Sequence, residues 1–168
     1  MLFGYRVEEF IKTWKLQRNY MWEIVLPENI AGVDGMEVSK YCQSIRFGDY
    51  EMSDVSTKRY GPYLAKYAGL LTIPNMTATF LKPIPDIVSA YFYEWKNLIV
   101  NYSGYFNCKG WYSRTVYINL YDTDGRASGK FKLEGVFPRT FPGYDLSYES
   151  EDITKFEIEF NVDKLVRI

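Results

Sequence analysis

A mainly β fold, an antiparallel sandwich or small barrel with a flanking helix, is what this sequence predicts, on three observations. The first is a pair of alternating stretches within Gly129 to Val162. Phe131 and Leu133 alternate with Lys130, Lys132 and Glu134, and Phe156, Ile158, Phe160 and Val162 alternate with Glu157, Glu159 and Asn161. Period two puts each apolar set on one face of a half-buried strand. The second is Arg114 to Tyr121, where Val116, Ile118 and Leu120 take one face and Thr115, Tyr117 and Asn119 the other. The third is a helical stripe between Pro85 and Asn101: Ile87, Val88, Tyr91, Phe92, Trp95, Leu98 and Ile99 fall on one side of a 3.6-residue period. Pro85 suits a first turn and Asp86 complements the positive end of the helix dipole. Such a helix is expected to cover an open sheet.

The other elements follow in chain order. Tyr5 to Arg18 predicts a helix, with Val7, Phe10, Ile11 and Trp14 on one face. That face either packs on its own domain or docks on a neighbouring subunit. Asn19 to Leu26 predicts a strand closed by Pro27. A turn with Gly32 and Asp34-Gly35 leads to a second strand, Met36 to Ile45, expected to pair with the first as a hairpin. Leu71 to Lys82 predicts a strand ended by Pro83-Ile84-Pro85, and Tyr102 to Tyr112 a loop with Gly104 and Gly110. The turn Asp122-Thr123-Asp124-Gly125 opens like a calcium loop but lacks the later ligand positions, so a glycine-closed hairpin turn is expected. Pro138, Pro142 and Gly143 interrupt the last sheet segment. A short strand from Asp145 to Tyr148 precedes a turn at Glu149 to Asp152. About seven strands result, in one domain over residues 1–168.

Arg46 to Leu70 stands apart. It has no sustained period, carries Gly48, Gly61, Pro62 and Gly69, and is rich in Tyr. Loops of this length are usually functional or disordered, and its aromatics argue against disorder. Arg59, Tyr60, Tyr63 and Tyr67 can form a contact patch, since Tyr and Arg are favoured in interfaces. A loop folded on its own barrel is the alternative.

The bulk numbers restrict function. In 168 residues the chain can bury ~70% of the surface its unfolded form exposes. Twenty basic against 21 acidic residues give a net charge of −1, which argues against gripping a nucleic acid backbone but not against a channel through which DNA slides. There is no His, which removes the commonest general base near neutrality and excludes Ser–His–Asp and Cys–His nucleophiles. Cys42 and Cys108 form no C-x-x-C pair, so a zinc site is not expected; they are read as free thiols, with a disulfide between them as the alternative. No phosphate-binding glycine loop occurs. Glu149, Glu151, Asp152, Glu157 and Glu159 fit solvated or subunit-facing positions better than paired catalytic carboxylates. Neither enzyme activity nor a cofactor is predicted. No basic segment leads into an apolar run, and no window approaches the ~20 apolar residues of a membrane span, so neither secretion signal nor membrane association is expected.

The motifs, in their order, resemble the tail tube proteins of contractile-tailed bacteriophages, a family related to the tube proteins of type VI secretion systems. R-x-x-x-W-E-I stands at Arg18 to Ile24, SKYCQSIRFGDY at Ser39 to Tyr50, LTIPNMTATFL at Leu71 to Leu81 and YFYEWKNLI at Tyr91 to Ile99. Gly135-Val136-Phe137-Pro138, then Leu146-x-Tyr148-x-Ser150 and Phe156-Glu157-Ile158-x-Phe160, complete the pattern. The resemblance implies a virion structural protein whose hexameric rings stack into the inner tail tube, assembled in the host cytoplasm. Its partners would be further copies of itself, the tail sheath protein, and the baseplate tube-initiator and tail terminator proteins. DNA would pass through the lumen without specific binding. Residues 1–18 would be a helical arm and 46–70 the inter-ring loop, with Arg46, Arg59, Tyr60, Tyr63, Tyr67, Phe10 and Trp14 in subunit contacts. A baseplate initiator or hub component of the same fold is an alternative. A second class is a carbohydrate-binding β-sandwich module, in which Tyr60, Tyr63, Trp111 and Tyr112 would stack on sugar rings.

Overall fold

The organising strand is β9 (Ala127–Pro138), twelve residues that pair with three other strands. A computed structural model describes residues 17–60, 62–149 and 151–168, with the backbone alone for 57–60 and 64. One edge of β9 pairs with β8 (Arg114–Tyr121). The other pairs first with β11 (Lys164–Arg167), through Phe131 to Glu134, and then with β10 (Lys155–Asn161), through Phe137 and Pro138. The change of partner falls at Gly135, whose φ is +68° and where the register to β8 slips by one residue. A bulge built on a left-handed glycine bends the strand there.

This bend folds one seven-stranded antiparallel sheet into two facing halves. The order is β1 (Trp22–Val25), β8, β9, β10, β7 (Met76–Leu81), β4 (Cys42–Phe47), with β11 beside β9. Phe47 of β4 and Phe131 of β9 meet across the interior with ring centroids 5.4 Å apart. The apolar alternation read from the sequence is the core: Ile24, Val116, Ile118 and Leu133 from one half, and Met76, Ala78, Phe80, Phe156, Ile158 and Phe160 from the other. The fold is therefore mainly β and antiparallel, with flanking helices.

The helix α2 (Ile87–Ile99) buries Val88, Tyr91, Phe92 and Trp95 against this core. Phe92 packs 5.2 Å from Phe80 and 5.8 Å from Phe160, and Trp95 packs 6.1 Å from Phe160. The two polar tips in this cluster are satisfied. Trp95 Nε1 donates to the Tyr112 carbonyl at 2.8 Å, and the Tyr91 hydroxyl donates to the Pro27 carbonyl at 2.9 Å. Burial pushes the Tyr91 phenol far above its ordinary range.

Asp86 caps the helix, accepting the Ser89 backbone N–H at 3.2 Å and the Tyr144 hydroxyl at 2.6 Å. Pro85 thus precedes the cap instead of occupying the first turn. Burial alone would raise the Asp86 carboxyl, but hydrogen bonds from Tyr144 and Ser89 and the charge of Lys82 outweigh it and hold the group below 3.8. A carboxyl lowered in the folded state stabilises above its unfolded value, and that contribution disappears as pH falls through the folded one. Asp86→Ala is expected to cost about 1–2 kcal/mol near pH ~7, and markedly less once the pH falls well below 3.8. Urea unfolding of both proteins across that range checks it; a cost that does not shrink in acid would remove the charge from the account.

Several expectations need correction. The predicted strand Met36 to Ile45 begins instead as a short helix, α1 (Gly35–Ser39), because Asp34 accepts the Met36 N–H at 2.8 Å and starts a helical turn. The strand proper is β4. It pairs with β7, not with β1, so the expected hairpin is replaced by a long-range pairing. The only hairpin before α1 among the described residues is the small one of β2 (Asn29–Ile30) and β3 (Val33–Asp34). Lys109–Tyr112 forms a short helix, α3, inside the expected loop. Asp145 to Tyr148 forms no strand: Tyr144 and Pro142 are tied to α2 by the Tyr144–Asp86 bond and by the Tyr93 hydroxyl donating to the Pro142 carbonyl at 2.7 Å. The Asp122 turn closes as expected, with its carboxylate accepting the N–H groups of Asp124 and Arg126 at 2.9 and 3.0 Å. The helix predicted over residues 5–18 lies outside the described residues except at Gln17 and Arg18, which are not helical.

Candidate assembly surface

The largest departure from the sequence reading is also the main candidate site. Residues 46–70 are not an aperiodic loop. Arg46 and Phe47 finish β4, and the rest builds a two-stranded ribbon of β5 (Glu51–Tyr60) and β6 (Tyr63–Thr72), ten residues each. Among the described residues the two strands pair only with each other. At ~3.3 Å per residue the ribbon is about 33 Å long.

Two bulges twist it. Opposite Ser53, strand β6 carries an extra residue at Gly69–Leu70; the Ser53 hydroxyl accepts the displaced Leu70 N–H at 2.8 Å. A side chain on Gly69 would run into Ser53, its Cβ falling 2.9 Å from the Ser53 carbonyl oxygen. The second bulge lies between Ser56 and Lys58 on β5. At the ribbon's base the Tyr50 hydroxyl donates to the Leu165 carbonyl at 2.8 Å, tying it to β11.

Both faces of the ribbon carry exposed apolar groups. By cross-strand register, Val55 and Tyr67 share one face and Met52 and Leu71 the other. Tyr67 is 55% exposed, Tyr63 77% and Leu70 82%. Exposed apolar groups gathered on one ribbon make it a candidate contact surface.

The second feature is a seam. Among the described residues strands β1 and β4 end the sheet, each with one edge unpaired. Between them opens a mouth of about 330 Å³ lined by Gln17, Arg18, Trp22, Ile45, Phe47 and Leu120, among others. Gln17 is fixed there by its Nε2 donating to the Tyr121 carbonyl at 2.9 Å. Further along the same seam Cys42 faces the core; burial raises its thiol to about 12, against a weaker opposing effect of hydrogen bonding with the Ser44 backbone.

The structure thus gathers Tyr63, Tyr67 and the backbones of Arg59 and Tyr60 on one ribbon. Arg46 is not among them. It points to the outer face of β4, in register with Thr77, while its neighbours Ile45 and Phe47 turn inward. Phe10 and Trp14 lie outside the described residues. Sequence reasoning missed Met52, Val55, Leu70 and Leu71. Their signal was apolar residues on both parities of a stretch rich in β formers, which single-faced alternation cannot produce. The aromatics proposed for sugar stacking are not one platform: Tyr63 is on the ribbon, whereas Trp111 and Tyr112 are on α3, and Tyr112 packs edge-on against Phe137 at 5.3 Å.

No protein-family model matches the sequence, and no curated protein does. Solved structures do match. The tube-terminating cap of the anti-feeding prophage superposes with a TM-score of 0.72 at 15% identity over 93% of each chain. A chain of the sheath–tube complex of PVC, an extracellular contractile injection system, in its extended state gives 0.64 at 14% over 96% of each chain. The sheath/tube terminator of that system gives 0.67 at 14%, over 93% of this chain and 99% of the other. At these identities the likeness is one of fold: the protein has the tail-tube-like fold seen in contractile injection systems, and the resemblance read from its motifs holds at that level.

Proposed function

We propose that the protein is a structural subunit of a contractile tail or tail-like particle, forming hexameric rings that stack into its inner tube. The observation that carries this reading is the conjunction of that fold with a ribbon apolar on both faces and a sheet that, among the described residues, is left open at both ends. Unpaired edges are hazards in a monomer and are resolved by joining neighbours. Contacts made between unlike surfaces close into rings or continue as filaments. The sheath protein, the baseplate initiator and the terminator are then its further partners. The outer face of the β4–β7–β10 half carries Ser44, Arg46, Thr77, Thr79, Lys155, Glu157 and Glu159, a mixture of acidic and basic groups, with Glu159 bound to Arg139. A face of this kind offers DNA no basic track, which supports a lumen through which it slides. The protein has no role as an enzyme in this reading.

Negative-stain microscopy across a protein concentration series, beside size-exclusion chromatography, tests it. Six-fold rings and hollow tubes are the expected result. Single rings that never lengthen would instead assign the chain to a cap or terminator. A monomer at every concentration, with and without an initiating baseplate, would overturn the reading.

A further inference from the structure

The loop that leaves α2 carries aromatic surface that is bare among the described residues. Tyr102, Tyr105, Phe106 and Trp111 are between 69% and 92% exposed, yet the backbone that bears them is tied down. The Asn101 side-chain oxygen accepts the N–H groups of Ser103 and Tyr105, both at 3.0 Å. The Asn107 side chain donates to the Leu98 carbonyl at 2.7 Å, and Val100 bridges to Phe106. An aromatic platform already held in place loses little entropy when it is covered. From Tyr93 to Arg114 three basic residues, Lys96, Lys109 and Arg114, stand against Glu94 alone. Lys109 pairs with Asp163, whereas Lys96 and Arg114 have no ion pair among the described residues.

At the other end of α2, about 20 Å away, residues 145–153 expose the opposite charge. Leu146, Tyr148 and Ile153 are exposed, and Asp145, Glu149, Glu151 and Asp152 have no basic residue among them. This strap forms no strand or helix among its described residues. Its ends are held by the Tyr144–Asp86 bond and by the Lys82 N–H, which donates to the Thr154 carbonyl at 3.0 Å. Nine residues that leave such anchors and return reach at most ~16 Å, so the strap does not cover the platform of its own chain.

We infer that the platform of one copy receives the strap of a second copy, Leu146 and Tyr148 packing on Tyr105 and Phe106 while the strap's carboxylates approach Lys96 and Arg114. The aromatic contacts supply most of the affinity, and the complementary charge selects the partner and fixes its register. Platform and strap sit at opposite ends of α2, so a copy that has received a strap still offers its own. The contact therefore runs head to tail and closes only if the rotation per copy permits a ring. This rests on the proposed self-assembly and names surfaces, apart from the β5–β6 ribbon, that make it.

The test is a disulfide between positions exposed in the single chain, in a Cys108→Ser background. A chain with Tyr148→Cys and a chain with Tyr105→Cys are mixed under assembling conditions and oxidised. The expected result is a covalent heterodimer, and a ladder of higher species when both substitutions sit in one chain. Tyr148→Cys mixed with Thr123→Cys, in the turn between β8 and β9, is expected to give at least about tenfold less. A second measurement compares Tyr105→Ser with Phe106→Ser against Leu146→Ser with Tyr148→Ser. These exposed sites leave the circular dichroism unchanged, and each pair is expected to raise the dissociation constant for self-association about tenfold or more. All four together should add less than about threefold to either pair, because both pairs break one contact. Effects that multiply would place the pairs in different contacts and overturn this inference. A loss from the platform pair alone would give the platform another occupant and overturn it as well. Rings or tubes that form without the Tyr148–Tyr105 crosslink would overturn it and leave the proposed function standing. A protein that never self-associates overturns both.

Discussion

Trp95→Ala is expected to lower the unfolding free energy by about 4–6 kcal/mol. Trp95 is fully buried on α2 and packs against Tyr91 at 5.8 Å and Phe160 at 6.1 Å, joining the helix to β10. Removing a large aromatic from a closed core costs about 3–5 kcal/mol, because the cavity collapses only in part. Its indole N–H also serves the Tyr112 carbonyl, the last residue of α3; leaving that group unpaired adds about 1 kcal/mol or more. A single domain has only about 5–15 kcal/mol to lose, so the variant should sit near its unfolding midpoint under mild denaturant. Trp95→Phe keeps most of the packing and loses the donor, and should fall well short of the full effect. Equilibrium urea unfolding of the three proteins decides it. A loss under about 2 kcal/mol for Trp95→Ala would mean that α2 is a replaceable cover instead of part of the core.

Trp95 also shows why some of this fold was legible in the sequence. An element reads clearly where burial selects one face. The α2 stripe, the alternation of β8 and the alternation of β10 all point their apolar residues at one core, and each was predicted nearly to its ends. The ribbon defeated the same rule for a physical reason. Among the described residues neither face is buried against the body, so nothing enforces alternation, and the bulges near Ser53 and Thr57 shift its phase twice. Pro62 lies at its turn, yet without alternating flanks Gly61 and Pro62 read as loop punctuation. The pairing of β4 with β7 was illegible for another reason. Cys42 to Phe47 alternates well enough for a strand, but which partner it takes depends on Cys42 and Phe80 meeting across some forty residues. The candidate site was half visible: its tyrosines stand out by type, whereas the seam exists only once β1 and β4 fall at opposite ends of one sheet.

Gly135→Ala is the second large effect, expected to cost about 2–4 kcal/mol. The backbone there has φ +68°, which an L side chain adopts at a cost of about 1–2 kcal/mol. Space is the second cost. A methyl on Gly135 would lie 2.8 Å from the Cβ of Asp163 and overlap its carboxylate. Asp163 cannot simply swing aside. Its N–H donates to the Glu134 carbonyl at 3.1 Å in the turn from β10 to β11, and its carboxylate is held by Lys109. The two costs separate in a double variant. Asp163→Ala alone loses a half-exposed ion pair worth about 0–1 kcal/mol. In that background Gly135→Ala should keep the backbone part and the close approach to the Cβ at position 163 but lose the overlap with the carboxylate, so the two substitutions couple by about 1 kcal/mol in the favourable direction. Strict additivity in chemical denaturation would exclude the steric account and leave φ alone. Because β9 changes partner from β11 to β10 at this residue, the same substitution should also loosen β11 ahead of the rest of the sheet. Amide exchange at Leu133 and Leu165, which share that pairing, should quicken more than exchange at Ile158 on β10.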